Sequence, residues 1–141
     1  MKGGAALLLA AASALAPAAA GASSARFAVA VGENQGSPGQ PALWFAERDA
    51  ERFARTLEEL GDFDGDHVLL LRGASLARVR EALAAVQAMA AEARKVGEHP
   101  LLVFYFSGHA DGQGMELGPD RLPFAELRQL VSASPARPGP P

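Results

Sequence analysis

"LLVFYFSGHADG", Leu101 to Gly112, decides the fold. Six apolar or aromatic residues follow Pro100 and stop at Ser107, Gly108 and His109. The run does not alternate polar with apolar and is too short for a core helix. Those are the marks of a β-strand buried on both faces. Two more runs of this kind precede it, Phe27 to Val31 and Val68 to Leu71, and Gly, Asp or Pro lies close to the ends of the three runs.

Between the runs lie two amphipathic stretches. Leu43, Ala46, Ala50, Phe53, Leu57 and Leu60 recur at steps of three and four, which predicts one apolar helix face. Pro41 marks a possible start and Gly61 a stop. Leu76, Val79, Leu83, Val86 and Ala90 repeat the rhythm, with Ser75 as N-cap and Gly97 as stop. A third, shorter helix is expected after Pro123, carrying Phe124, Leu127, Leu130 and Val131 inward.

Strand, helix, strand, helix, strand, helix predicts an α/β fold, a parallel sheet with right-handed crossovers. Ligands of such sheets bind beyond the carboxyl ends of the strands. The two loops that matter are then Gly32 to Gln40 and Ser107 to Gly114, the second holding His109. A fourth buried strand should follow the third helix. "SASPARPGPP", Ser132 to Pro141, stands there instead, and its prolines cannot donate to a sheet ladder. The expectation is a fold truncated before its fourth strand.

Composition narrows the chemistry. The chain has 141 residues, 49% hydrophobic and 21% charged, with a net charge of -3. Phosphate binding needs a basic face, so nucleic acid is not expected as a partner. With no cysteine, disulfides, thiolate metal sites and a thiol nucleophile of its own are excluded. Residues 1–20 read as an export signal: Lys2, an apolar stretch from Ala5 to Leu15, and small residues at Ala18 to Ala20. An uncleaved anchor is the alternative. The expected organisation is signal peptide 1–20, linker 21–25, catalytic-type domain 26–131 and Pro-rich tail 132–141. The mature chain would be periplasmic or extracellular, with no membrane span.

From Arg26 to Val131 the chain resembles the N-terminal, large-subunit half of caspase and metacaspase-like cysteine peptidases. "RFAVAVGEN" is similar to the family's first strand and loop. "LWFAERDAERFARTLEELG" is similar to its first helix, and "LLLRGASLARVREAL" to its second strand and helix. "LLVFYFSGHADG" is similar to the third strand and the loop that carries the catalytic histidine. The resemblance implies a three-layer α/β/α sandwich, cleavage of peptide bonds by a Cys-His dyad, and no cofactor or metal. It places the general base on His109 and an oxyanion-hole N–H on Ala110, where the family usually has Gly. The family's cysteine ends the fourth strand, so this chain carries half a dyad and is expected to be inactive alone.

The residues also support plainer readings. His109 can be a loop histidine at the sheet edge, and Asp111 a turn residue rather than an imidazole partner. Glu33 and Asn34 are candidate substrate contacts. His67 and His99 are expected at the amino ends of strands, away from the site. "DFDGD", Asp62 to Asp66, lacks the spacing of a calcium loop and reads as a solvated turn. The expected partners are a peptide or protein substrate and a chain supplying the missing strand. The alternative is a non-catalytic pseudo-protease that binds peptides; a nucleotide or signalling domain rests on fold analogy alone.

Overall fold

A computed structural model describes residues 24–132. The segment 1–20 expected as a signal peptide, most of the expected linker 21–25 and the tail beyond Ser132 lie outside the described residues. The elements run β1 (Arg26–Gly32), α1 (Ala46–Leu60), a 3-10 turn (Gly65–His67), β2 (Val68–Arg72), α2 (Leu76–Lys95), β3 (Leu101–Ser107), β4 (Gly114–Leu117), β5 (Asp120–Pro123) and α3 (Phe124–Ser132).

β1 is the centre of a three-stranded parallel sheet ordered β2-β1-β3. Ala28 stands opposite Val68, and Arg26 opposite Leu101. The chain steps from β1 to one side, then crosses to the other side for β3. With right-handed crossovers, that reversal puts α1 and α2 on opposite faces. The period-2 geometry of β1 serves both faces at once. Ala28 and Ala30 pack with Ala50, Ala54 and Phe63 on the α1 side. Phe27, Val29 and Val31 pack with Val79, Leu83, Val86 and Ala90 of α2 on the other. The α1 side takes alanines because helix and sheet approach closely there, and the Phe53 ring stacks on Tyr105 at 4.1 Å.

Two predicted boundaries hold for physical reasons. The Ser75 hydroxyl accepts from the backbone N–H of Arg78. Gly97 takes φ +84°, and the N–H groups of Gly97 and Glu98 close on the carbonyls of Arg94 and Ala93. That is a Schellman ending, which glycine permits without strain.

One expectation is corrected and one element is added. The first helix begins at Ala46, not near Pro41, and Leu60 is 83% exposed instead of facing inward. Residues 41–45 are held out of helix because the Leu43 N–H donates to the Asn34 carbonyl and the Pro41 carbonyl is taken by His109. The residues between the 108–113 loop and α3 have no assignment from the sequence. They fold into the antiparallel hairpin β4-β5, with Met115, Leu117 and Leu122 buried in the α2-side core. Gly118 turns it at φ +61°.

His67 and His99 lie just before β2 and β3, at the amino ends as expected. The His67 ring packs on Phe27 at 4.5 Å. Asp64 accepts from the Asp66 N–H and Asp62 pairs with Arg26, so the acidic stretch serves its own turn. Among the described residues, no helix is long and apolar enough to cross a membrane.

Candidate functional site

The strand order reverses between β1 and β3, and the loops leaving their carboxyl ends meet there. The Glu33 N–H donates to the Ser107 carbonyl and extends the β1-β3 pairing by one step. Past that point the loop 33–45 and the segment 108–113 face each other. His109 lies between them, half buried.

The His109 Nε2 stands 2.9 Å from the Pro41 carbonyl oxygen. A carbonyl only accepts, so Nε2 carries the proton and donates. The neutral ring is therefore the Nε2–H tautomer, and Nδ1 keeps its lone pair. A base nitrogen whose opposite N–H is anchored by a fixed acceptor is held in one tautomer and one orientation. Glycine at position 36 gives the ring its room: a Cβ there would come within 2.7 Å of His109 Cδ2 and crowd Gln40 Oε1.

Ala110 is exposed and forms an antiparallel bridge with Met115. The flanking bonds run from the Asp111 N–H to the Gly114 carbonyl and from the Glu116 N–H to the His109 carbonyl. In a pair of this wide type, the N–H and C=O of Ala110 point away from β4. The N–H beside the imidazole is thus turned out of the hairpin ladder.

Gly108 has a packing reason of its own. A Cβ at this position would meet the Phe106 ring at 2.6 Å and the Glu33 carbonyl oxygen at 3.1 Å. Asp111 is a turn residue: its Oδ1 accepts from the N–H groups of Gln113 and Gly114, and its Oδ2 pairs with Arg121 at 2.8 Å. The Gln113 N–H, then Gly114 and the Arg121 charge, hold its carboxyl below the ordinary 3.8.

The two candidate substrate contacts are both engaged within the loop. The Glu33 side chain is buried at 4% exposure, with Oε1 accepting from the Gln35 N–H. The Asn34 Oδ1 accepts from the Glu47 N–H. It thereby caps α1, whose own N-cap residue, Phe45, makes no side-chain cap bond. Beside this loop lies a cleft of about 400 Å³ lined by Glu33, Glu47, Ser75 and Asp120, among others. Trp44 and Phe45 leave apolar surface between Pro41 and α1, at 84% and 58% exposure.

Sequence reasoning missed Pro41 and Glu116. Glu116 sits on β4 at 4% exposure and reaches across to the loop that carries Pro41. Its carboxylate accepts from the Ser37 N–H at 3.2 Å and the Gln40 Nε2 at 3.4 Å, and faces Arg121 at 3.5 Å. The Ser37 N–H is the chief cause holding its carboxyl below the ordinary 4.5. An inward-facing Glu in a short apolar strand was the available signal, but only once the hairpin was recognised. Among the described residues, no cluster of His, Cys, Asp or Glu is arranged to hold a metal ion. No protein-family model, curated protein or solved structure matches the chain.

Proposed function

We propose that the chain is the histidine-bearing part of a caspase-like cysteine peptidase fold, with His109 as general base and the Ala110 N–H as oxyanion donor. One observation carries this reading: His109 is fixed through Nε2–H on the Pro41 carbonyl at the carboxyl end of the sheet, where the strand order reverses, which leaves Nδ1 as the working nitrogen. The α/β/α layering and the order β2-β1-β3 agree with the resemblance of residues 26–131 to that family.

The chemistry follows from the geometry. Nδ1 takes the proton of a thiol, and the thiolate attacks the carbonyl carbon of a peptide bond. The carbonyl oxygen gains the negative charge and accepts the Ala110 N–H. The imidazolium returns its proton to the departing amine as the C–N bond breaks, and water then releases the acyl group. The thiol is not in this chain, which has no cysteine. It must arrive on another segment, against the outer edge of β3. The carboxylates of Glu47 and Asp120 favour a cationic substrate side chain in the neighbouring cleft.

Two measurements test this. Ring ¹⁵N shifts should report the Nε2–H tautomer for His109; an Nδ1–H ring would overturn the assignment of the base. A fluorogenic panel with Arg, Lys or Asp at the cleaved position should show no turnover by this chain alone. Turnover that disappears in His109→Ala would overturn the need for an outside thiol.

The β3 edge, open among the described residues, favours a second reading, a non-catalytic module that binds an extended peptide by strand addition. Calorimetric titration with the same peptides decides it, since a chain that binds none of them is not such a module.

A further inference from the structure

Among the described residues the sheet has a second open edge, on β2, and the functional reading makes no use of it. The Gly73 N–H donates to the Gly32 carbonyl on β1. Each residue of a strand directs its N–H and C=O to one side, and the side alternates. Leu69 and Leu71 therefore point their backbone groups at β1, while Val68, Leu70 and Arg72 point theirs outward.

Natural edge strands are usually blunted by a Lys, a Pro, a bulge or an inward charge. β2 reads Val68-Leu69-Leu70-Leu71 before its single charge at Arg72. Alongside it runs an open groove of about 410 Å³, bordered by Arg78, Glu81, Ala82 and Ala85 of α2. The alanines leave this flank of the strand uncovered.

The charges around β2 are polar from end to end. Asp64 and Asp66, both exposed, precede the strand; Arg72 ends it and Arg78 follows. An antiparallel copy reverses that polarity. With Leu70 on the twofold axis, Val68 stands opposite Arg72 of the second copy. All the outward-pointing residues then meet one another as hydrogen-bonded pairs, each exchanging both N–H···O bonds. Asp66, in the 3-10 turn that leads into the strand, then lies at the end of the pairing where the opposing Arg72 sits. The strand is thus self-complementary in hydrogen bonding and in charge about the same axis.

We propose that β2 pairs antiparallel with β2 of a second copy of this chain, joining two sheets into one continuous sheet. The pairing leaves β3, on the opposite edge, free for the segment that would complete the site. It does not depend on the assignment of His109.

The test uses the full chain. Sedimentation equilibrium should show a monomer–dimer equilibrium. Amide exchange at Val68, Leu70 and Arg72 should slow as protein concentration rises, with Leu102, Phe104 and Phe106 on β3 unaffected. Arg72→Asp should raise the dissociation constant at least about tenfold, the equivalent of roughly 1.4 kcal/mol. Adding Asp66→Arg to that variant should restore dimerisation, because the swapped charges meet again. Arg72 also faces Glu51 at 3.7 Å, so circular dichroism checks the fold of both variants. Exchange on the unmodified chain decides the matter if either fails to fold. A monomer at every concentration overturns the proposal. So does a dimer whose protection lies on β3, or a double variant no better than Arg72→Asp.

Discussion

The room that Gly36 leaves for the imidazole can be closed with one methyl group. In Gly36→Ala, the new Cβ would lie 2.7 Å from His109 Cδ2, where ordinary carbon contacts are about 3.5–4.0 Å. The Gln40 oxygen that it also crowds ends a flexible side chain and can swing away, and Gln40 Cβ at 2.9 Å must shift by a few tenths of an ångström. The ring must retreat by roughly 1 Å. Gly36 and Pro41 belong to one loop, so a ring pushed off that loop moves away from its acceptor. A contact of 2.9 Å stretched by that amount leaves hydrogen-bonding range. Such a bond between neutral groups contributes about 1 kcal/mol, so its loss shifts the tautomer balance about fivefold toward Nδ1–H. Long-range ¹H–¹⁵N spectra of the ring, recorded where the imidazole is neutral, read that ratio directly. A folded Gly36→Ala protein with unchanged ring shifts would refute the account. In that case the loop has yielded instead, and faster exchange of the Ser37 amide would show it.

Other perturbations probe the frame around the ring. Gly32→Ala puts a Cβ 2.5 Å from Glu47 Cα and 2.6 Å from the Ala46 oxygen. Both are backbone atoms at the start of α1, so the helix must move; a cost of about 3 kcal/mol is expected. A melting temperature lowered by less than about 4 °C would contradict that close approach. Acid should loosen the loop. Glu116 and Asp111 have folded values below their ordinary 4.5 and 3.8, so the unfolded chain binds more protons. Their contribution is complete above those ordinary values and is lost as pH falls through the lower, folded ones. The melting temperature should therefore drop more steeply between about pH 5 and pH 2 in the native chain than in Glu116→Gln. Equal slopes would mean that the Ser37–Glu116 contact contributes nothing.

The parallel strands were legible because burial on both faces removes alternation, and Phe27–Val31, Val68–Leu71 and Leu101–Phe106 all show that. The ends of α2 were legible because Ser75 and Gly97 act locally. The hairpin was not. Gly114–Leu117 and Asp120–Pro123 are too short for a periodic signal, and Gly118-Pro119 resembles any surface turn. The late start of α1 was hidden for the opposite reason. Leu43 keeps the helical rhythm, and distant partners, Asn34 and His109, hold its neighbours extended. The same distance hid Pro41 and Glu116. The motif located His109, but what orients the ring comes from a loop 68 residues away in sequence. Asn34 was legible as a polar loop residue; its task as the cap of α1 was not.

The central position of β1 sets an order of events as the chain folds. β1 is the first strand made, yet its partners are β2 and, much later, β3. The β1-β2 unit with α1 closes the shorter loop and can condense early. One side of β1 then stays unsatisfied until Ser107 has been synthesised. The hairpin, α3 and the contact between Pro41 and His109 all wait on that step. Throughout the interval Phe27, Val29 and Val31 are aligned beside an empty lane, a template for any passing strand. A chaperone that recognises extended apolar segments would find its longest-lived target in β1, the strand that is most deeply buried once folding is complete.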